Sequence, residues 1–183
     1  MSGAMVHLAL GSNLGDRVAM IVAAVRAIDQ LTGTQRLRCS RVYETEAVGE
    51  AGQSAYLNAA VELITTLPPP VLLERLLEIE SSLGRVRDPG KRWHARTIDL
   101  DILLVDDVVL EHPQITLPHP RLHERPFVLA PICDLIPDRV HPTIGRTMSE
   151  LLKEHADSAG AVLNVFMDAP ELERRVAAQE TAV

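Results

Sequence analysis

The chain has 183 residues, 46% of them hydrophobic, and a formal net charge of -7 at pH 7. That length suits one domain, 1–183, built on one hydrophobic core, and falls short of two full-sized domains. The acidic balance argues against a general binder of nucleic acid or anionic membranes, no run of eighteen apolar residues offers a membrane span, and the opening MSGAMVHLALGSN lacks a signal-peptide pattern, so a cytoplasmic protein is expected.

Residues 6–10 form a short apolar run ending at Gly11-Ser12-Asn13, which reads as a first strand and a tight turn. Asp16 is placed to cap a helix in which Val18, Ile21, Val22, Val25, Ile28 and Leu31 recur at helical spacing, with a stop near Gly33. Residues 36–45 alternate loosely and read as a second strand. The glycine- and small-residue stretch AVGEAGQSA leads to a third strand at 56–65. Pro68-Pro69-Pro70 ends it and opens a second amphipathic helix. Leu72, Leu73, Leu76, Leu77, Ile79 and Leu83 mark its buried face, and Gly84 closes it.

After a polar loop at 85–96, residues 98–105 make the most apolar strand of the chain, and Asp106-Asp107 turns it toward a short partner at 108–110. Strand, helix, strand, strand, helix, strand is the split pattern of a ferredoxin-like domain. It predicts an α+β fold, an antiparallel sheet with helices on one face. The adjacent strands in the middle count against a doubly wound sheet. Prolines break 118–138 into loops and a short helix, and Asp168-Ala169-Pro170-Glu171 opens a final surface helix. Additional C-terminal elements are therefore expected, as a packed strand or helix beyond about residue 155 rather than a second catalytic unit. Cys39 and Cys133 lack metal spacing and are expected to be reduced thiols in or near the core.

The chemistry concentrates in RVRDPGKRWHARTIDLDILLV. Asp99 and Asp101 lie two apart on a strand and so share a face. They offer oxygen ligands suited to Mg²⁺, or they are the solvated and salt-bridged aspartates of an edge strand. Arg85, Arg87, Lys91, Arg92 and Arg96 put five cations within twelve residues of an acidic chain. Guanidinium groups beside metal-binding acids are the parts that phosphoryl transfer needs, although any one of these side chains alone also fits a solvated loop. Trp93, the only tryptophan, fits either a stacking platform for a flat ligand or a cap on the core. Asn58, two residues after Tyr56, offers a donor and an acceptor to a heterocycle edge or to backbone. His119 sits between two prolines in an exposed bend. Gly11-Ser12-Asn13-Leu14-Gly15 lacks the Gly-Lys-Ser/Thr element of a Walker loop and reads as a structural turn.

Taken in order, ALGSNLGDR at 9–17, YLNAAVEL at 56–63, GRVR at 84–87, RWHARTIDLDILL at 92–104 and LPHPRLHERPFVLAPICDLIP at 117–137 span residues 9–137. In this combination the chain resembles the 6-hydroxymethyl-7,8-dihydropterin pyrophosphokinase family. The resemblance implies a ferredoxin-like domain and transfer of pyrophosphate from ATP to the hydroxymethyl group of the reduced pterin, giving the pterin pyrophosphate and AMP in folate biosynthesis. It implies that Asp99 and Asp101 hold two Mg²⁺ ions, with Arg85, Arg92 and Arg96 catalytic. Glu80, Arg87, His119 and Arg125 fall at nucleotide or phosphate positions. Trp93 and Phe127 match the aromatic pair that sandwiches the pterin, Asn58 and Thr45 match the readers of its polar edge, and Tyr56 matches a further pocket position. The partners it implies are ATP and the pterin, and it is compatible with a monomer without fixing protein partners.

Three departures stand out. Thr45-Glu46-Ala47 replaces the Thr-Pro-Pro of the best-known members, which predicts a looser loop there. Pro120 follows His119 where some relatives carry an aromatic, and the DPGK loop at 88–91 is one residue longer than in the shortest members.

Overall fold

Alternation along the first strand sets the layers of the protein. The computed structural model describes residues 3–46, 54–85, 96–155 and 164–178. In β1 (Ala4–Ser12), Val6, Leu8 and Leu10 join one apolar cluster, whereas Ala9 packs against a second on the opposite face. β1 runs antiparallel between two strands. On one side lies β4 (Tyr56–Thr65), with Gly11 opposite Asn58; on the other lies β5 (Asp99–Val105), with Gly11 opposite Asp99. β2 (Thr34–Cys39) and β3 (Val42–Thr45) both pair with β4, and β8 (Asn164–Met167) adds outside β3. With α1 (Arg17–Asp29) after β1 and α2 (Pro69–Ser82) after β4, the expected split order is present.

The N-cap expectation holds, since the Asp16 side chain accepts from the Ala19 amide at 3.0 Å. In α2, Leu72, Leu76 and Ile79 are buried, and Pro69 and Pro70 occupy the first turn, where a missing N–H is harmless. Together with Ile21, Val25 and Ile28 of α1 they cover the face carrying Leu8, Leu10, Leu57 and Leu63.

Helices cover both faces of the sheet rather than one. Strand β4 is buried along nearly its whole length, which requires a second layer. That layer is α3 (Pro126–Leu135) and α4 (Met148–Glu154), whose Val128, Leu129, Ile132, Met148 and Leu151 pack on Ala60, Leu103 and Leu104. The short helix expected from the proline-rich stretch is therefore a ten-residue core element with Pro131 inside it. Proline there removes one internal hydrogen bond, and apolar burial on nearly every side offsets that loss. A partly buried polar network ties this layer to the sheet. Arg38 donates to Glu62 Oε1 at 2.8 Å and to the Leu135 carbonyl at 2.8 Å, and His7 Nε2 lies 3.0 Å from Glu62 Oε2. Burial alone would raise the Glu62 carboxyl, but Arg38 and His7 outweigh it and hold it low.

Two strand expectations are corrected. The single strand read at 36–45 is split into β2 and β3 at Ser40 and Arg41. There the Ser40 amide donates to the Ala60 carbonyl, but the Ala60 amide donates back to the Ser40 hydroxyl at 2.7 Å instead of to a carbonyl. A side chain has replaced one rung, so the edge bends without losing a hydrogen bond. The partner read at 108–110 is also displaced. Asp106 adopts φ 43° and closes back on Met5, and the next strands are β6 (Leu110–His112) and β7 (Ile115–Leu117), paired with each other. Of the C-terminal elements, β8 joins the sheet, and α5 (Ala169–Ala177), capped by Asp168, buries Leu172 and Val176. Among the described residues no helix is long and apolar enough to cross a membrane.

The rung made by Ser40 yields a stability expectation. Ser40→Ala strands the buried Ala60 N–H and is expected to destabilise the protein by about 1–3 kcal/mol. Urea unfolding of the two proteins measures it, and an unchanged midpoint would show that the hydroxyl is dispensable.

Candidate active site

Register brings the polar residues of four segments to one end of the sheet, on the face under α3. Opposite Gly11 stand Asn58 on one side and Asp99 on the other; Ala9 stands opposite Asp101, and Thr45 opposite Tyr56. Arg125 and Phe127 enter from the start of α3. Gly11, Asn58, Asp99, Asp101, Arg125 and Phe127 border a small cavity. Gly11 had been read as part of a turn; it is instead a strand residue on the cavity floor. A Cβ there would lie 3.5 Å from Asn58 Oδ1, so glycine keeps the floor between the amide and Asp99 open. The available signal was a residue without a side chain at the end of an apolar strand.

Asn58 and Thr45 are both buried, and Asn58 Nδ2 donates to Thr45 Oγ1 at 2.9 Å. The Thr45 hydroxyl, having accepted that bond, retains its proton for donation, and Asn58 retains Oδ1 as an acceptor. Beside them lie Phe127 and the Arg125 guanidinium, whose carbon is 5.9 Å from the ring centroid. Tyr56 is half-buried; burial raises its phenol, with Arg96 opposing and Asp99 reinforcing the rise.

The acids and arginines form a chain. Arg85 donates both to Glu80 and to Asp99 Oδ1, and Arg96 donates to Asp99 Oδ2. Glu80 is 1% exposed and also accepts from the Leu100 amide at 2.8 Å. It props Arg85 and β5 from inside the fold. Burial by itself would lower the Arg96 guanidinium, but Asp99 outweighs it and the net shift is upward.

Asp101 is treated differently. Among the described residues, the nearest basic groups, His119 Nε2 and Arg125 Nη1, both stand 3.9 Å from Oδ2. Crowding by protein and the neighbouring Asp99 raise its carboxyl above the ordinary range, against the pull of His119, Arg125 and Arg96. His119 is held low by burial first, with Arg125 and Arg121 adding to it and Asp101 opposing. Its Nδ1 accepts from the Arg121 amide at 3.1 Å, which puts the proton of the neutral ring on Nε2, toward Asp101.

Two carboxylates on one face, one of them with its nearest described basic groups at 3.9 Å, suit a hard divalent ion that takes its other oxygens from a phosphate ligand or water. Among the described residues no group of three or more His, Cys, Asp or Glu gathers as a ready-made metal cage. Thus Thr45, Tyr56, Asn58, Glu80, Arg85, Arg96, Asp99, Asp101, His119, Arg125 and Phe127 lie where the structure can be read. Arg87, Lys91, Arg92, Trp93 and Ala47 lie outside the described residues.

A profile of the 7,8-dihydro-6-hydroxymethylpterin-pyrophosphokinase family, HPPK, matches residues 7–137, a stretch that contains every candidate site residue. The chain belongs to the HPPK family. It is 39% identical over 158 residues to the 2-amino-4-hydroxy-6-hydroxymethyldihydropteridine pyrophosphokinase of Haemophilus influenzae, covering 86% of this chain and 97% of that one. It is 44% identical over 131 residues to the enzyme of the same name from Bacillus subtilis, covering 72% of this chain and 77% of the relative. Among solved structures it resembles the Plasmodium falciparum HPPK-DHPS, with a TM-score of 0.67 at 16% identity. That match covers 85% of this chain and only 43% of the longer one, and at such identity it speaks to the fold. Membership makes this HPPK chain an enzyme of a pterin pyrophosphokinase family.

The two aspartates generate a stability prediction. Because the Asp101 carboxyl is raised in the fold, its contribution to stability is fully present below the unfolded pKa of about 3.9 and is lost as pH rises through the folded value. At neutral pH, ionised Asp101 is therefore a cost. Asp101→Asn is expected to raise the Tm of the ligand-free protein at pH 7, with the gain fading toward about pH 3. Melting curves across that range test it, and an equal or lower Tm for the variant at pH 7 would contradict it.

Proposed function

We propose that this protein transfers the pyrophosphoryl group of ATP to the hydroxymethyl oxygen of 6-hydroxymethyl-7,8-dihydropterin, releasing AMP. The observation that carries the reading is the meeting, at one end of the sheet, of a buried amide–hydroxyl pair, an aromatic ring and a chain of acids and arginines. Phe127 offers apolar area to a flat ring, while Asn58 Oδ1 and the Thr45 hydroxyl complement its hydrogen-bonding edge. Trp93 is the proposed second platform. This holds the hydroxymethyl group over the Gly11 floor, toward Asp99 and Asp101.

Arg85 and Arg96, both bound to Asp99, and Arg125 at the cavity border are suited to phosphate oxygens. Arg87, Arg92 and His119 complete the proposed phosphate surroundings. Glu80, being buried, acts on the nucleotide through Arg85 rather than by touching it. Asp99 and Asp101 are the residues that would hold magnesium, whose chemistry is to neutralise phosphate charge. The pterin oxygen attacks the β-phosphorus; the bond from that phosphorus to the oxygen bridging it to the α-phosphate breaks, and AMP leaves with that oxygen. The hydroxyl proton is released. Arginines fixed in place by carboxylates before the reaction need little reorganisation as charge redistributes on the phosphates.

Incubation with ATP, magnesium and the hydroxymethyl dihydropterin, followed by separation of nucleotides, is expected to give one AMP per pterin consumed. ADP as the main product would point to single-phosphate transfer and overturn the reading. Asp101→Ala is expected to lower turnover by about 10³-fold or more at saturating substrates.

The edge-reading role makes a separate prediction. Asn58→Ala is expected to weaken pterin binding by roughly 10–100-fold while changing affinity for a nonhydrolysable ATP analogue by less than about threefold. Calorimetric titration of each ligand measures both, and equal losses would reject the role.

A further inference from the structure

The ladder between β1 and β5 ends at Gly11 opposite Asp99, but the pairing of the two segments continues beyond it through side chains. The Ser12 hydroxyl donates to the Thr97 carbonyl at 2.6 Å. Asn13 then engages Arg96 twice. Its amide donates to the Arg96 carbonyl at 3.1 Å, and its side-chain Oδ1 accepts from the Arg96 amide at 2.7 Å. Both main-chain polar groups of Arg96 are thus held by one residue 83 positions away in sequence. Only the amide oxygen of asparagine accepts from an N–H, so the orientation of the side chain is set by this bond.

We propose that Asn13 is a positioning residue that clamps the backbone of Arg96, so that its guanidinium is aimed at Asp99 and the phosphate-transfer centre. The proposal rests on the reading of Arg96 as a catalytic arginine. Three observations carry it. Asn13 is 2% exposed and Ser12 is fully buried, so both contacts are shielded from competing water. An asparagine after a strand commonly folds its side chain onto its own next residues; here the acceptor is spent at long range instead. The Asn13 Nδ2 is buried with no partner among the described residues, an unfavourable arrangement for a residue whose only task is to make a turn. Arg96 in turn depends on the clamp. Its guanidinium reaches Asp99 three residues along the chain with 37% of its side chain exposed, and so long a side chain is aimed only if its backbone is fixed.

The test compares Asn13→Ala and Asn13→Asp in the wild-type and in the Arg96→Ala background. Aspartate keeps an oxygen for the Arg96 amide; alanine does not. Asn13→Ala is expected to lower kcat by about 10–100-fold with less than about a threefold change in KM for the pterin, and Asn13→Asp to restore most of the loss. In the Arg96→Ala background, Asn13→Ala is expected to cause no further loss, because the group it positions is already gone. The same fold-loss in both backgrounds would mean a general packing defect and would overturn the inference. Hydrogen exchange of the Arg96 amide in the folded, ligand-free protein supplies a readout independent of turnover. Protection lost in Asn13→Ala and kept in Asn13→Asp supports the clamp, and unchanged protection in Asn13→Ala overturns it. An Arg96→Ala enzyme of undiminished turnover would remove the catalytic role of Arg96 and with it any catalytic consequence of Asn13. Amide exchange tells that failure apart from failure of the clamp.

Discussion

Everything functional in this protein depends on the register of β1 between β4 and β5. Gly11 stands opposite Asn58 and Asp99 at once, so three strands deliver a floor, an amide and a carboxylate to neighbouring positions. The side-chain period of a strand is two, and a slip of one residue would turn Asn58, Asp99 and Asp101 into the cluster of Leu8, Leu10 and Leu57. Burying two carboxylates among leucines is prohibitive, and exposing the leucines forfeits the core. The hydrophobic pattern and the active-site pattern therefore specify the same register.

Both faces of the sheet must be covered for this to work, and they are covered differently. The α1–α2 face is apolar and carries the largest buried side chains. The α3–α4 face has small residues, Ala9, Gly11 and Ala60, that let α3 approach while leaving open space at the Gly11 end. Arg38, Glu62 and His7 anchor the far end of α3 to the sheet, leaving its N-terminal residues Arg125 and Phe127 at the cavity. The rigidity of one end of the helix thus defines the position of the other.

Electrostatically, the two aspartates divide labour through their partners. Asp99 is held between Arg85 and Arg96, so it organises guanidinium groups before any ligand is present. Among the described residues, Asp101 has its nearest basic groups at 3.9 Å and a raised carboxyl, which leaves its oxygens available to a stronger positive charge. On an acidic chain, these arginines are concentrated where Glu80 and Asp99 hold them.

Much of this was legible in the sequence wherever a property repeats along the chain. The helical spacing in α1 and α2, the Asp16 cap, the long strand at 56–65 and the shared face of Asp99 and Asp101 all follow from periods of 3.6 and 2, which local sterics impose. The Thr147–Glu150 capping box of α4 was equally visible as Thr-x-x-Glu, but went unread. The Ser40 hydroxyl in a ladder rung, the second helical layer, the burial of Glu80 and the hold of Asn13 on Arg96 were decided by tertiary structure alone. Each depends on pairings between residues 20 to 97 positions apart, and a hydrogen bond at that distance leaves no trace in local composition. Sequence by itself determined which residues were equipped for the chemistry. The folded chain decided which of them touch, because only packing chooses among the partners that a donor or a carboxylate is able to take.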